Sequence, residues 1–197
     1  MAETKAVDTA TDKANAEAGA EAKPQRKRIT RRQAVEQKVR AYYEAMNNRD
    51  VNAMLALWGD EVVEDVVPIG VVRGRDELGE FLRALFAAMP DASTTITRLI
   101  AGEQSCSVEW RLEGTFTGSP FLGIEPTGSR VELREVSIVE LEDGKIAGIT
   151  AYFDGASYAR QIRMLPPDGS GVDRAMKGAF NAVTKMRRAV AERRNGG

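Results

Sequence analysis

Residues 108–153 constrain the fold of this chain more than any other segment, because their side chains alternate between apolar and polar. From 108 to 116 the apolar residues occupy even positions, and charged residues such as Glu109 and Arg111 lie between them. A period of two is typical of a β-strand with one buried face. Two further strands are predicted within 131–153, around a turn with the sequence Glu-Asp-Gly-Lys. The whole segment therefore predicts an antiparallel meander.

Helices are predicted before this meander. The first follows Thr30, which forms a capping box pattern with Gln33. Asp50 can cap a short second helix, and residues 78–88 form an amphipathic third helix that stops before a proline. A strand pair is predicted between them, at 61–73. Helices followed by a curved meander predict an α+β fold in which the helices cover the concave face of the sheet and leave a ligand pocket.

The two ends of the chain differ from the middle in composition. Residues 1–29 contain very few large apolar groups, which predicts a disordered tail before a domain at 30–166. A linker at 167–172 precedes a basic amphipathic helix at 173–197. The apolar stripe of this helix comprises Met176, Phe180, Val183, Met186 and Val190. We expect the helix to dock on its own body or on a sister subunit, with a membrane surface or a foreign partner as the alternatives.

Charge is distributed unevenly along the chain. Residues 33–172 carry 13 Lys/Arg against 22 Asp/Glu, whereas residues 173–197 carry seven against two. The acidic body would repel phosphate groups, so we expect no nucleic-acid partner. The sequence has no apolar run long enough to span a bilayer, and its first residues lack the apolar stretch of a secretory signal. These features predict a cytoplasmic protein.

The chain contains no histidine and a single cysteine, Cys106. The usual acid/base at neutral pH and the commonest metal ligand are therefore missing. Cys106 lies in the apolar register of a strand, which predicts a buried structural thiol. Calcium-loop spacing and glycine-rich phosphate loops are also missing from the sequence. We expect no metal and no cofactor, so any proton chemistry must use carboxylates or tyrosine.

Several motifs resemble one known family. The sequence GTFTG at 114–118, the PTG before the next strand, the EDGKI hairpin and the closing AYFD are similar to the SnoaL-like polyketide cyclases. These belong to the nuclear-transport-factor-2-like superfamily, and residues 41–82 resemble the opening segment of its ketosteroid isomerases. The resemblance covers roughly 33–165. It implies a cone-shaped, curved antiparallel sheet covered by the N-terminal helices, and a homodimer formed through the open face of that sheet.

The resemblance also implies a catalytic pair. Asp65 lies in a segment similar to that of the isomerase aspartate, which moves a proton between two carbons of an enone. At the rim of an apolar cavity its pKa would rise, as a general base requires. Tyr42 matches the tyrosine that donates a hydrogen bond to the substrate oxygen. A register shift of one residue would put Tyr43 in that place. The alternatives are a surface aspartate at a strand end and two aromatic residues without a catalytic role.

The sequence departs from the family pattern at two positions. Val136 stands where the isomerases have a protonated aspartate in the oxyanion hole. Four neighbours could substitute if they face inward, namely Glu132, Arg134, Glu135 and Ser137. Phe116 stands where the cyclases often have a motif histidine. A cyclase of that type would lack its polarising partner here.

A second resemblance is to limonene epoxide hydrolase, whose arginine and aspartate activate water beside an epoxide. Arg111 and Glu113 are similar to that pair, although cross-strand ion pairs on an exposed sheet face look the same in sequence. Ala151 occupies the place of the downstream catalytic aspartate. Asp154 fits better as the N-cap of a following helix than as a catalyst.

Three functions follow from these comparisons. The first is a cofactor-independent proton-transfer enzyme, either an isomerase or an aldol-type cyclase, acting on a hydrophobic carbonyl compound. The alternatives are a non-catalytic small-molecule-binding or assembly module on the same fold, and an epoxide hydrolase-like enzyme. In each case we expect a small hydrophobic ligand. Its binding residues would be Trp58, Trp110, Arg111, Glu113, Phe116 and Phe153.

Overall fold

The computed structural model describes residues 29–195, so the expected disordered tail lies almost wholly outside the described residues. Within that range the fold is the predicted α+β arrangement of a curved sheet with helices at its N-terminal side and an extra C-terminal helix. The elements are α1 (Arg31–Asn47), α2 (Val51–Ala56), β1 (Val63–Val67), β2 (Gly70–Arg73), α3 (Arg75–Ala88), β3 (Ser93–Ala101), β4 (Ser105–Thr115), β5 (Arg130–Glu142), β6 (Lys145–Phe153), α4 (Gly155–Gln161) and α5 (Gly171–Asn195).

Six strands form one sheet in the order β2-β1-β6-β5-β4-β3. The meander β4-β5-β6 is antiparallel, as its alternating sequence predicts, and β5 alternates between buried and exposed along its whole length. Strands β1 and β6 are parallel. The meander starts at the far edge with β3, and its last strand, β6, lies beside β1 and runs in the same direction. Strand β3 was not predicted, and it extends the meander by one more antiparallel pair.

Helices α1, α3 and α4 cover the inner face of the sheet. The buried side of α1 contains Val35, Val39, Tyr42, Tyr43 and Met46, and this helix packs against β3 and β4. The predicted capping box at its start is present, since Thr30 and Gln33 exchange hydrogen bonds. Asp50 caps α2, and the Asp154 carboxylate accepts from two backbone N–H groups at the start of α4. Both caps confirm the sequence prediction.

The GTFTG motif connects the sheet to the end of α3. The backbone N–H groups of Gly118 and Ser119 donate to the carbonyls of Ala88 and Ala87, at 3.0 and 2.9 Å. A Cβ atom at Gly118 would collide with the Ala87 carbonyl oxygen. The glycine at the end of this motif is therefore required by the close approach of two backbones.

The C-terminal helix α5 extends away from the rest of the fold. Its start is well capped, because the Ser170 hydroxyl accepts from the Asp173 N–H and the Asp173 carboxylate accepts from the Gly169 N–H. Beyond this first turn, α5 makes no extensive contact with any other described helix or strand. Among residues 29–195, no helix is both long and apolar enough to cross a membrane.

Candidate functional site

An apolar pocket lies between the inner face of the sheet and helices α1, α3 and α4. Its volume is about 80 Å³. Aliphatic and aromatic side chains form most of its lining, including Met46, Phe81, Leu85, Phe121, Leu133 and Ile149. The polar groups that reach it are Tyr42, Tyr43, Glu64, Glu135, Ser137 and Tyr158. A wider surface groove of about 690 Å³ between α1 and the β5–β6 turn has exposed charged residues such as Arg31, Glu103 and Asp143 around it. None of the charged side chains that line this groove is buried.

Glu64 on β1 is the carboxylate of the inner face. It is buried, with 8% of its surface exposed, and one of its carboxyl oxygens has no hydrogen-bond partner among the described residues. Burial raises its pKa from the usual 4.5 to about 7, and the nearby Tyr42 hydroxyl offsets only part of this rise. At neutral pH the carboxyl is therefore poised between its two protonation states, as a general acid or base must be.

Glu135 on β5 brings a second carboxyl to the same pocket. It is also buried, and desolvation raises its pKa from 4.5 to about 8, with a further contribution from the negative charge of Glu64. No arginine or lysine is among the residues that line the pocket. The negative charge of Glu64 therefore acts on Glu135 without a compensating cation in the lining, which favours a protonated Glu135.

The buried hydroxyl of Tyr42 lies close enough to Glu64 to lower the pKa of that carboxyl, but it is outside full hydrogen-bond geometry with every described group. Burial and the negative charge of Glu64 raise its pKa well above the usual 10.0, so the phenol stays protonated and can donate. The Trp58 Nε1 atom is also buried without a partner. Tyr42 and Trp58 are edge-to-face neighbours, with ring centroids 6.5 Å apart. Within the described residues, the Tyr42 hydroxyl and the Trp58 indole N–H are therefore two unpaired polar groups in an otherwise apolar core.

In contrast to Tyr42 and Trp58, the side chains of Ser137 and Trp110 have their polar groups hydrogen-bonded to each other. The Trp110 Nε1–H donates to the Ser137 hydroxyl oxygen at 3.0 Å, and both residues are buried. Trp110 also packs edge-on against Tyr43, with centroids 5.2 Å apart. Burial raises the pKa of Tyr43, so it too remains a neutral phenol. The hydrogen bond to Ser137 and the contact with Tyr43 together fix the position of the Trp110 ring next to Glu135.

The structure places Asp65 outside the pocket, which corrects the sequence prediction. Along β1, Glu64 and Val66 point inward, while Asp65 lies on the outer face of the sheet in the row with Thr150 and Ile138. A β-strand sends neighbouring side chains to opposite faces, so only one of two adjacent carboxylates can line the cavity. Glu64, and not Asp65, is therefore the carboxylate of β1 that lines the pocket.

Some of the remaining predicted residues line the pocket and others do not. Tyr42, Trp110 and Phe153 line the pocket, and Tyr43 joins Tyr42 there. Trp58 is fully buried behind Tyr42 but is not part of the lining. Phe116 is likewise a core residue, with 1% of its surface exposed, and does not reach the cavity.

Arg111 and Glu113 are on the outer face, which corrects their assignment as ligand contacts. Arg111 pairs with Glu132 at 3.1 Å, and Arg130 pairs with Glu113 at 3.0 Å. These are the cross-strand ion pairs that the sequence left open as an alternative. The water-activating pair of an epoxide hydrolase is thus not assembled in the pocket by these two residues.

The sequence around Glu64 does not predict which face of the sheet its side chain is on. Residues 62, 64 and 66 share one face and 63, 65 and 67 share the other, but both sets contain two valines and one carboxylate. The alternation alone therefore gives no preference. For Glu135 and Ser137 the signal was stronger, because they fall in register with the buried positions Val131, Leu133 and Val139.

Replacing Tyr42 with phenylalanine is expected to leave the free energy of unfolding unchanged or to raise it by about 1 kcal/mol, because a buried hydroxyl without a partner is costly. Urea unfolding at pH 6 measures the difference. A loss of more than about 1 kcal/mol would contradict this, since it would mean that the hydroxyl has a stabilising partner in the folded protein.

The comparisons with known proteins agree with the fold. A sequence profile of the SnoaL-like polyketide cyclases matches residues 36–162. A putative SnoaL-like polyketide cyclase from a Jannaschia species is similar in structure, with a TM-score of 0.64, 19% identity, and coverage of 71% of this chain and 98% of that chain. AclR, a putative hydroxylase from Streptomyces galilaeus, gives a TM-score of 0.62 at 18% identity, over 80% of this chain and 98% of its own.

A third similar structure is SalBIII, an epoxide hydrolase/cyclase-like enzyme with a role in pyran ring formation in the polyether salinomycin. It has a TM-score of 0.54 at 23% identity, over 64% of this chain and 94% of that chain. At these levels of identity the structures establish the shared fold and not a shared reaction. A search of the curated proteins finds no match to the chain.

Proposed function

Because the chain belongs to the SnoaL-like polyketide cyclase family, we propose that it is a cofactor-independent enzyme that moves a proton on a hydrophobic carbonyl compound. The observation that carries this proposal is the pair of buried carboxyls, Glu64 and Glu135, whose pKa values are raised to about 7 and about 8 in an apolar pocket. Perturbed acidic groups in an enclosed cavity are typical of acid/base sites.

The mechanism divides acid and base between the polar groups. Ionised Glu64 removes a proton from the carbon next to the substrate carbonyl, and the electron pair of the broken C–H bond forms an enolate. Protonated Glu135 and the Tyr42 phenol are the donors that can stabilise the developing negative charge on the oxygen. Return of the proton from Glu64 to another carbon completes an isomerisation. Attack of the enolate carbon on a second carbonyl instead forms the new C–C bond of an aldol-type ring closure, and the resulting alkoxide takes the proton from Glu64.

Apolar surroundings favour this chemistry. An ionised carboxylate in a dry cavity is a stronger base than one in water, and the hydrogen bonds to an enolate oxygen are stronger there as well. The inner lining supports Glu64 with Val66, Leu133 and Ile149, none of which can solvate a charge. The substrate class that fits is accordingly an uncharged, flat ketone or enone.

The pocket volume of about 80 Å³ is below the roughly 300 Å³ that ligand pockets usually have. Substrate entry therefore requires the wall to open. Besides Ile69 after β1, the wall residues with partly exposed side chains are Phe81, Leu85, Phe153 and Tyr158. They come from α3, the end of β6 and α4, so a small outward shift of these helices would widen the cavity without breaking the sheet.

The proposal is tested with 2-tetralone, a bicyclic ketone with exchangeable protons next to its carbonyl. In D₂O, the protein is expected to accelerate the exchange of these protons for deuterium, measured by NMR, above the rate in buffer at the same pH. Ala151 lines the pocket, and Ala151→Phe should fill the cavity and abolish the acceleration while the circular dichroism spectrum stays unchanged. Equal rates with the wild type and with buffer would count against the enzyme.

A non-catalytic binding module remains the second candidate, and Phe116 favours it because it stands where the cyclases often have a histidine. This function is separated from the first with 2-naphthol, a flat phenol shaped like an enolate. Binding of 2-naphthol that quenches tryptophan fluorescence, without any exchange of 2-tetralone, would identify a binder. Trp110 in the pocket wall is the reporter. The hydrolase candidate loses support, since Arg111 and Glu113 pair with Glu132 and Arg130 on the outer face.

A further inference from the structure

Helix α5 carries an apolar stripe that nothing in the described part of the chain covers. The large apolar side chains of this stripe are between 42% and 69% exposed, with Phe180 at 69%, Val172 at 63% and Met186 at 62%. Isolated helices are only marginally stable in water, and α5 also contains Gly178 in its interior. A helix of 25 residues with such a stripe needs a partner surface.

We propose that α5 pairs in an antiparallel manner with α5 of a second copy of this chain. The stripe follows a regular three-four spacing, which is typical of a helix that packs along another helix. The spacing adds two residues to the stripe as first defined and places Phe180 beside it. The six positions in line are Val172, Met176, Ala179, Val183, Met186 and Val190. The seam runs for about 27 Å at 1.5 Å per residue.

The spacing is self-complementary when the second helix runs the opposite way. One register places Val172 opposite Val190 of the second copy, Met176 opposite Met186, and Ala179 opposite Val183. All six positions of the stripe then have an apolar partner. The same register brings the two copies of Phe180 together on one flank of the two-fold axis.

The opposite flank of the seam contains only small residues. Ala175, Ala182 and Ala189 occupy every seventh position beside the stripe. In the antiparallel register Ala182 meets its own copy, and Ala175 meets Ala189. Alanines at these positions let two helix backbones approach closely, whereas a helix that inserts into a lipid surface needs a wide face of bulky side chains. The flank therefore favours a helix as the partner.

Charge determines the direction of the pair. The last eleven residues of α5 contain one acidic side chain, Glu192, and five basic ones. The basic residues are Lys185, Arg187, Arg188, Arg193 and Arg194. A parallel pair would place the two basic ends side by side. An antiparallel pair instead brings each basic end toward the partner's acidic body, which has 13 Lys/Arg against 22 Asp/Glu over residues 33–172. The partner's α5 start adds no net positive charge, because Asp168 and Asp173 there bind Lys177. The opposed helix dipoles add to this preference.

Cysteine variants of the full chain test the register. Met176→Cys and Met186→Cys are oxidised separately and as a mixture, with Asn181→Cys, on the outward side of α5, as the matched control. The native Cys106 is buried and does not interfere. The mixture is expected to give a mixed disulfide at about ten times the yield of the control, because the two Cβ atoms come within disulfide range. Disulfides of one variant with itself would indicate a parallel pair, and yields equal to the control would indicate no pair; either result overturns the proposal.

A double variant tests the partner. Val183→Glu with Met186→Glu is expected to halve the mass measured by sedimentation equilibrium and to leave the thermal unfolding of the domain unchanged, because α5 makes no extensive contact with it. The variant and the wild type are also compared for binding to vesicles of phosphatidylcholine and phosphatidylserine. An unchanged mass together with lost vesicle binding would assign the stripe to a lipid surface and overturn the proposal.

Discussion

Replacing Glu64 with glutamine is expected to slow the deuterium exchange of 2-tetralone by about 10²- to 10⁴-fold, the usual contribution of a positioned general base. Glutamine keeps the shape of the side chain but cannot accept the substrate proton. The rate is measured by NMR at pH 7.5, above the pKa of about 7 that burial gives to Glu64. Binding of 2-naphthol should persist, since the cavity keeps its size.

Asp65→Asn is the matched control for this prediction. Asp65 is the next residue on the same strand, also loses one negative charge in the variant, and lies on the outer face. Its exchange rate should stay within about twofold of the wild type, because a surface charge change seldom alters a reaction on the other side of a sheet. The reverse result, a large loss with Asp65→Asn and none with Glu64→Gln, would return the base to the position that the sequence resemblance first assigned.

The contrast between these two residues shows where sequence reasoning succeeds in this chain. Strands β4 and β5 were predictable because apolar residues alternate with mostly polar or charged ones, so the period of two is visible. Strand β6 was predictable because it follows a clear turn sequence, although only its first residue is charged. Strand β3 was missed because its residues are mostly half-buried or exposed and its register with β4 shifts between Ile96 and Arg98. At an edge of the sheet, only one neighbour imposes the alternation.

The candidate site divides in the same way. Tyr42 was proposed from the resemblance to the ketosteroid isomerases, and its helical spacing with Val39 and Met46 agrees with its burial. The structure puts it in the pocket, together with Tyr43. The face of β1 is decided by its parallel pairing with β6, a contact between residues more than 80 positions apart. No local pattern contains that information. The stripe of α5 was visible in the sequence, but its exposure on a separate helix needed the structure.

Glu135→Gln is expected to make the protein more stable than the wild type at high pH, by up to a few kcal/mol at pH 9. The pKa of Glu135 rises from 4.5 in an unfolded chain to about 8 in the folded protein. The folded state therefore keeps a proton that the unfolded chain releases, so the stability linked to this group is complete below pH 4.5 and is lost as pH rises through about 8. Glutamine has no proton to release, and its contribution does not change with pH.

Urea unfolding of both proteins at pH 5, 7 and 9 gives the difference directly, and Glu140→Gln, an exposed position on the same strand, is the control. The stability gained by Glu135→Gln should grow from pH 5 to pH 9, while that of the control should stay flat. A flat difference for Glu135→Gln would mean that this carboxyl is ionised in the folded state near neutral pH. It could then not donate to an enolate oxygen, and Tyr42 would be left as the donor next to Glu64.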